Sequence, residues 1–93
     1  MKKKALLSEV KEVLVGKITH YYGEINVAIV KLSAILKIGD KVHLKGHEID
    51  FEQTVSSMQV EHQNVKIAKK GEEIGLKVDQ KIREGDEVYL VKE

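Results

Sequence analysis

The run Gly46-His47-Glu48-Ile49-Asp50-Phe51-Glu52-Gln53-Thr54-Val55-Ser56-Ser57-Met58-Gln59-Val60 is the longest uninterrupted extended-looking stretch of the chain. Alternation puts Thr54, Ser56, Met58 and Val60 on one face and Phe51, Val55 and Ser57 on the other, the period of a strand. It is therefore expected to be the central strand, with Ser56-Ser57 packed tightly at its middle. Three similar turns stand around it: Ile38-Gly39-Asp40, Lys70-Gly71-Glu72 and Glu84-Gly85-Asp86. Each leads into an apolar position, Val42, Ile74 or Val88. The glycines supply positive φ at no steric cost and the acids can hydrogen-bond nearby backbone, so the three read as corners of a small barrel.

Working outward, Glu12 to Tyr22 reads as the first strand, with Gly16 marking a bulge or a close backbone approach. Tyr22-Gly23-Glu24 turns it into Asn26 to Leu32. Val27, Ala28, Ile29 and Val30 are apolar on both faces, which implies a strand covered on both sides. Leu36 and Ile38 are expected to plug one barrel end. Lys41 to Lys45 is a short strand with Val42 and Leu44 on one side, and Gly46-His47 is its hairpin into the long run. Glu72 to Val78 and the segment from Glu87 complete the set, with Gly75 where another backbone comes near. Leu6, Leu7 and Val10 fall at helical spacing, but no interior helix and no proline appear. The residues thus predict an all-β fold, a closed or nearly closed antiparallel barrel over residues 11–93 behind a short extension at 1–10.

A chain of 93 residues, 42% hydrophobic and 33% charged, is one globular domain. At that size it buries about 60–65% of the surface its unfolded form exposes. With Phe51, three tyrosines and no tryptophan, the core must be built of Val, Ile and Leu. No cysteine is present, so disulfides, thiolate metal sites and thiol nucleophiles are excluded. Lys2-Lys3-Lys4 precedes an apolar run that stops at Ser8-Glu9, shorter than a secretory leader needs, and no stretch is long enough to span a membrane. The expectation is a cytoplasmic protein. The net charge of +1 conceals alternating basic and acidic sectors: residues 31–45 and 65–83 are basic, 48–64 and 84–93 acidic.

Five segments in order, Val15-Gly16-Lys17-Ile18, Leu36 to Val42, Thr54 to Met58, Ala68 to Leu76 and Ile82 to Asp86, resemble domain 2 of the translational GTPases such as elongation factor Tu. The likeness covers about residues 12 to 92. Lys45-Gly46-His47 through Glu61-His62 resembles more closely a group of small stand-alone translation elongation factor-like proteins, and the barrel appended to collagenase-like peptidases. The resemblance implies a six-stranded closed Greek-key barrel that contacts tRNA, ribosomal RNA or a translation protein. There is no G-x-x-x-x-G-K-[ST] loop, hence no GTPase activity and no nucleotide cofactor. The acids of Ser8 to Leu14 lack the aromatic that completes the aminoacyl pocket of elongation factor Tu.

Four histidines, His20, His43, His47 and His62, raise the question of a metal. His43 and His47 flank a hairpin beside Glu48 and Asp50, but exposed hairpin polar groups account for them, and no metal or other cofactor is expected. The serines lack a nucleophile-elbow context, so no catalytic residue is assigned. Lys66, Lys69, Lys70, Lys77, Lys81 and Arg83 form the candidate RNA or partner contacts, with interleaved acids Glu72, Glu73 and Asp79 diluting their field. The expected function is a non-catalytic, translation-linked binding module. The alternative is a protein–protein adaptor for a separately encoded enzyme such as a collagenase-like peptidase, using an apolar patch near Tyr21, Tyr22 and Ile35-Leu36.

Overall fold

The computed structural model describes residues 11–92, so the extension read at residues 1–10, with its helical spacing, lies outside the described residues. Among the described residues all regular structure is strand: β1 (Lys11–Tyr22), β2 (Val27–Leu32), β3 (Leu36–Lys37), β4 (Lys41–Lys45), β5 (Asp50–Thr54), β6 (Met58–Val60), β7 (Gln63–Asn64), β8 (Ile67–Ala68), β9 (Glu73–Lys77) and β10 (Glu87–Lys92). Eight pair in the order β5-β4-β10-β1-β2-β9-β6-β7, and β3 pairs with β8 separately. All ladders are antiparallel. The all-β expectation holds, whereas the ladders themselves run in an open order and do not close.

The organising strand is β1. Its inward residues Val15, Ile18 and Tyr21 are spaced by three, because its register slips against β10 between Leu14 and Gly16 and against β2 between Ile18 and His20. Gly16 serves both roles expected of it. It sits at the slip, and a Cβ there would lie 2.5 Å from Val30 Cγ1 and 3.0 Å from the Lys31 carbonyl oxygen.

The 46–60 run is two strands at opposite ends of the sheet order. β5 pairs with β4, while β6 pairs with β9 and β7. Gln53 and Val55 point inward in phase, and the next inward residue is Met58, so Ser56-Ser57 inserts one residue into the alternation. Small polar residues at the slip leave no apolar mark of it, so sequence alternation carries straight through.

The three glycine corners are copies of one device. Gly39, Gly71 and Gly85 have φ of 96°, 92° and 93°, as the third residue of a type II turn requires. In each the acid accepts the N–H of the residue three before it: Asp40 from Lys37 at 2.9 Å, Glu72 from Lys69 at 2.8 Å, Asp86 from Arg83 at 2.8 Å. Each glycine N–H donates to, and each acid carbonyl accepts from, one buried aliphatic residue of a neighbouring segment: Val55, Leu32 and Ile18 respectively. The corners therefore clamp the chain to its core at three points. Around them lie Val30, Leu36, Val42, Leu44, Ile74, Leu76 and Val88, all fully buried. Each such side chain contributes about 1.5–3 kcal/mol. Of the expected plug residues, Leu36 is buried and Ile38 is 39% exposed.

One buried polar side chain ties β5 to the last residue of β9 and the segment that follows it. Gln53 donates from Nε2 to the Lys77 carbonyl and accepts at Oε1 from the Asp79 N–H, both at 2.8 Å. Its amide thus supplies the donor and acceptor that a paired strand would have offered there.

Candidate functional site

Two surfaces of the sheet concentrate chemistry. The first is polar and lies over β1, β10, β4 and β5. His43 sits on β4 opposite Tyr89 of β10 and Glu52 of β5. Its Nδ1 meets Glu12 Oε2 at 2.6 Å and its Nε2 meets Asp50 Oδ1. Lys45 Nζ reaches Glu12 Oε1 at 2.7 Å and lies 4.8 Å from the centre of the Tyr89 ring, whose hydroxyl donates to Glu87 at 2.8 Å. Burial pushes the His43 imidazole down, but the hydrogen bonds to Glu12 and Asp50 outweigh it and the net shift is upward. The His43 bond, then that from Lys45, hold the Glu12 carboxyl below its ordinary value.

Glu12, His43 and Glu52 each bring a ligand-type atom within 4.8 Å of the others, a grouping in which β1 takes part and His47 does not. Lys45 and Lys41 already neutralise the two carboxylates, the latter at 3.2 Å from Glu52 Oε1. The arrangement is thus an ion-pair network over three strands. Sequence spacing could not show Glu12 here, because it enters from a strand 31 residues away. Glu48, expected beside His43 and His47, instead pairs with Arg83 at 2.7 Å.

The second surface is an apolar groove of about 580 Å³ on the outer face of β2, β9 and β6. Val27 and Ile29 form its floor beside Gly75, where the missing side chain leaves the depression. Tyr22 and Ile25, 49% and 59% exposed, wall one end, and the Glu61-His62 turn between β6 and β7 walls the other. The apolar outer face of β2 was legible in Val27 and Ile29, but the structure half-exposes both rather than covering them. The expected patch near Tyr21, Tyr22, Ile35 and Leu36 is not continuous. Tyr22 ends β1, Ile35 follows the far end of β2, and Leu36 is fully buried.

The six candidate basic residues are exposed but dispersed. Lys69 and Lys70 belong to the corner held by Leu32, and Lys66 adjoins β8. Lys77 lies at the opposite end of β9, opposite Val27 and about 13 Å along the strand. Lys81 and Arg83 belong to the segment before β10, where Arg83 is held by Glu48.

With this geometry in hand, no family model matches the chain. A protein of Methanocaldococcus jannaschii named as an uncharacterized protease is 41% identical over 87 residues, which are 92% of this chain and 21% of that protein. The chain thus spans about a fifth of the curated relative it matches. Two crystal structures of the C-terminal domain of a putative U32 peptidase from Geobacillus thermoleovorans share the fold. One, a selenomethionine variant, has TM-score 0.77 and 22% identity over 81% of this chain and 95% of its own. The other has TM-score 0.79 and 21% identity over 84% of this chain and 91% of its own. These findings overturn the expected kinship with translation factors and favour the peptidase-linked alternative. The curated relative is named a protease and the solved structures that share the fold are named as peptidase C-terminal domains, none of them a translation factor, so the translation, ribosome and RNA partners drawn from that likeness fall with it. The five segments that carried it specify turns and core positions, which a similar arrangement of antiparallel strands and glycine turns is enough to produce. Of localisation, the structure establishes that no helix among the described residues is long and apolar enough to cross a membrane.

Proposed function

We infer that the chain is a non-catalytic docking module that works beside a peptidase-like catalytic unit, a protein–protein adaptor rather than an enzyme. The observation that carries this reading is the extent of the match: nearly the whole chain corresponds to about a fifth of a protease, and solved domains of the same fold are the C-terminal parts of a putative peptidase. The polar cluster supports it, since both nitrogens of His43 are taken up by carboxylates and the flanking carboxylates by lysines. The finer architecture we assign is a closed six-stranded Greek-key barrel over residues 11–93, with Gln53 supplying the seam the ladders leave open and residues 1–10 an extension. Lys66, Lys69, Lys70, Lys77, Lys81 and Arg83 remain candidate contacts to the protein partner.

The test is co-elution in gel filtration of this chain with the M. jannaschii protein from which the matched segment has been removed. At about 100 µM of each, well above the micromolar Kd expected of an inter-domain contact, the two should migrate as one equimolar complex. Separate elution at that concentration would overturn the reading.

A further inference from the structure

The groove on β2, β9 and β6 has two chemically distinct ends. At one, Tyr22 and Ile25 continue the apolar floor of Val27 and Ile29. At the other the lining turns acidic: Glu61, Glu72 and Glu73 against Lys31, while Lys69 and Lys70 of the adjacent corner do not line it. The ends lie four residues apart along β2, about 13 Å.

The wall at the acidic end carries an unusual turn. Val60 pairs with Gln63, so Glu61-His62 is a two-residue hairpin loop, and both residues are left-handed, with φ of 50° and 66°. Such a loop favours Asn-Gly, and Glu61 in particular is a poor choice for its left-handed backbone. A backbone held against its preference where both side chains line a groove points to a use for those side chains. Gly75 makes the complementary case. Its φ is not left-handed, and a Cβ would meet Val27 Cγ1 at 3.4 Å, ordinary contact, so neither backbone nor space demands glycine at this strand position. What the glycine preserves is the depression.

We propose that this groove is the docking site for a segment of the peptidase-like partner that places apolar side chains against Tyr22, Ile25 and Ile29 and a lysine or arginine against Glu61 and Glu73. The assignment rests on the docking reading above and gives it a surface and a chemistry. The occupant lies on the face of the sheet, away from the backbone edges of β5 and β7, so side chains rather than strand addition make the contact.

The test uses the intact chain and two capped peptides, one of alternating leucine and lysine, the other with glutamate in place of lysine. Binding is followed by amide NMR shifts. The lysine peptide should move Ile29, Val60 and Gly75 and bind at least about fivefold tighter than the glutamate peptide at about 50 mM salt, the margin shrinking at about 500 mM. Gly75→Val, which fills the floor, should abolish the shifts while the chain stays folded. Glu61→Asn combined with His62→Gly should raise the Tm and weaken lysine-peptide binding about threefold or more. Equal binding of the two peptides, no shift with either, or undiminished binding by the Asn-Gly variant overturns the assignment. Co-elution of Gly75→Val with the truncated M. jannaschii protein would leave the docking reading standing and remove the groove from it. Failure of the unaltered chain to co-elute removes the reading, and the peptide result still decides the groove.

Discussion

Replacing Gln53 by leucine removes the side chain that joins β5 to the end of β9 and the segment after it. Two bonds of 2.8 Å are lost together, leaving the Lys77 carbonyl and the Asp79 N–H without their partner, in a position where Gln53 is only 6% exposed. An unsatisfied buried group costs about 1–3 kcal/mol, and the gain from an added apolar side chain offsets part of it, so the net loss is about 2–4 kcal/mol. For a domain of this size that is a fall in Tm of roughly 10–25 °C. The substitution Gln53→Glu adds a sign test. The introduced carboxylate can still accept from Asp79 but faces the Lys77 carbonyl with no proton, so its folded pKa is raised. Its penalty relative to the natural chain should be smallest below the ordinary glutamate value and grow as pH rises through the raised folded one. Urea unfolding at several pH values reads both effects. A Gln53→Leu variant within about 0.5 kcal/mol of the natural chain would refute the idea that this amide holds the seam.

Gly16→Ala should cost about 2–3 kcal/mol, because the new methyl overlaps Val30 Cγ1 at 2.5 Å and the Lys31 carbonyl at 3.0 Å; a lowered urea midpoint at unchanged slope is the check. The His43 network sets a pH window. His43 is raised from 6.5, so its contribution is complete below 6.5 and is lost as pH climbs through the higher folded value; Glu12 is lowered from 4.5, so its contribution is lost as pH falls through the depressed one. Thermal melts of His43→Asn and Glu12→Gln should therefore differ from the natural chain most between those limits, and a pH-independent difference would contradict the pairing.

Much of the fold was legible because it rests on local chemistry. Glycine followed by an acid needs only a turn and a backbone N–H to bind, and all three such corners form as read. The bulge at Gly16 and the inward Val42 and Leu44 were likewise visible in a few residues. What escaped were events that alternation cannot record: the phase slip at Ser56-Ser57, which split the supposed central strand between the two ends of the sheet order, and the role of Gln53, an ordinary polar residue until its long-range partners are known. The polar network was half visible, since His43 and Asp50 are neighbours in the hairpin while Glu12 arrives from β1. The groove escaped for the same reason, its walls coming from turns far apart in the chain.

Docking of this chain on a peptidase-like unit through one face is tested most directly by amide hydrogen exchange, measured on the chain alone and mixed with the truncated M. jannaschii protein. Added protection is expected over Tyr22 to Ile29 and Gln59 to His62, with β4 and β5 unchanged. Protection confined to β4 and β5, or exchange identical in both samples, would contradict it.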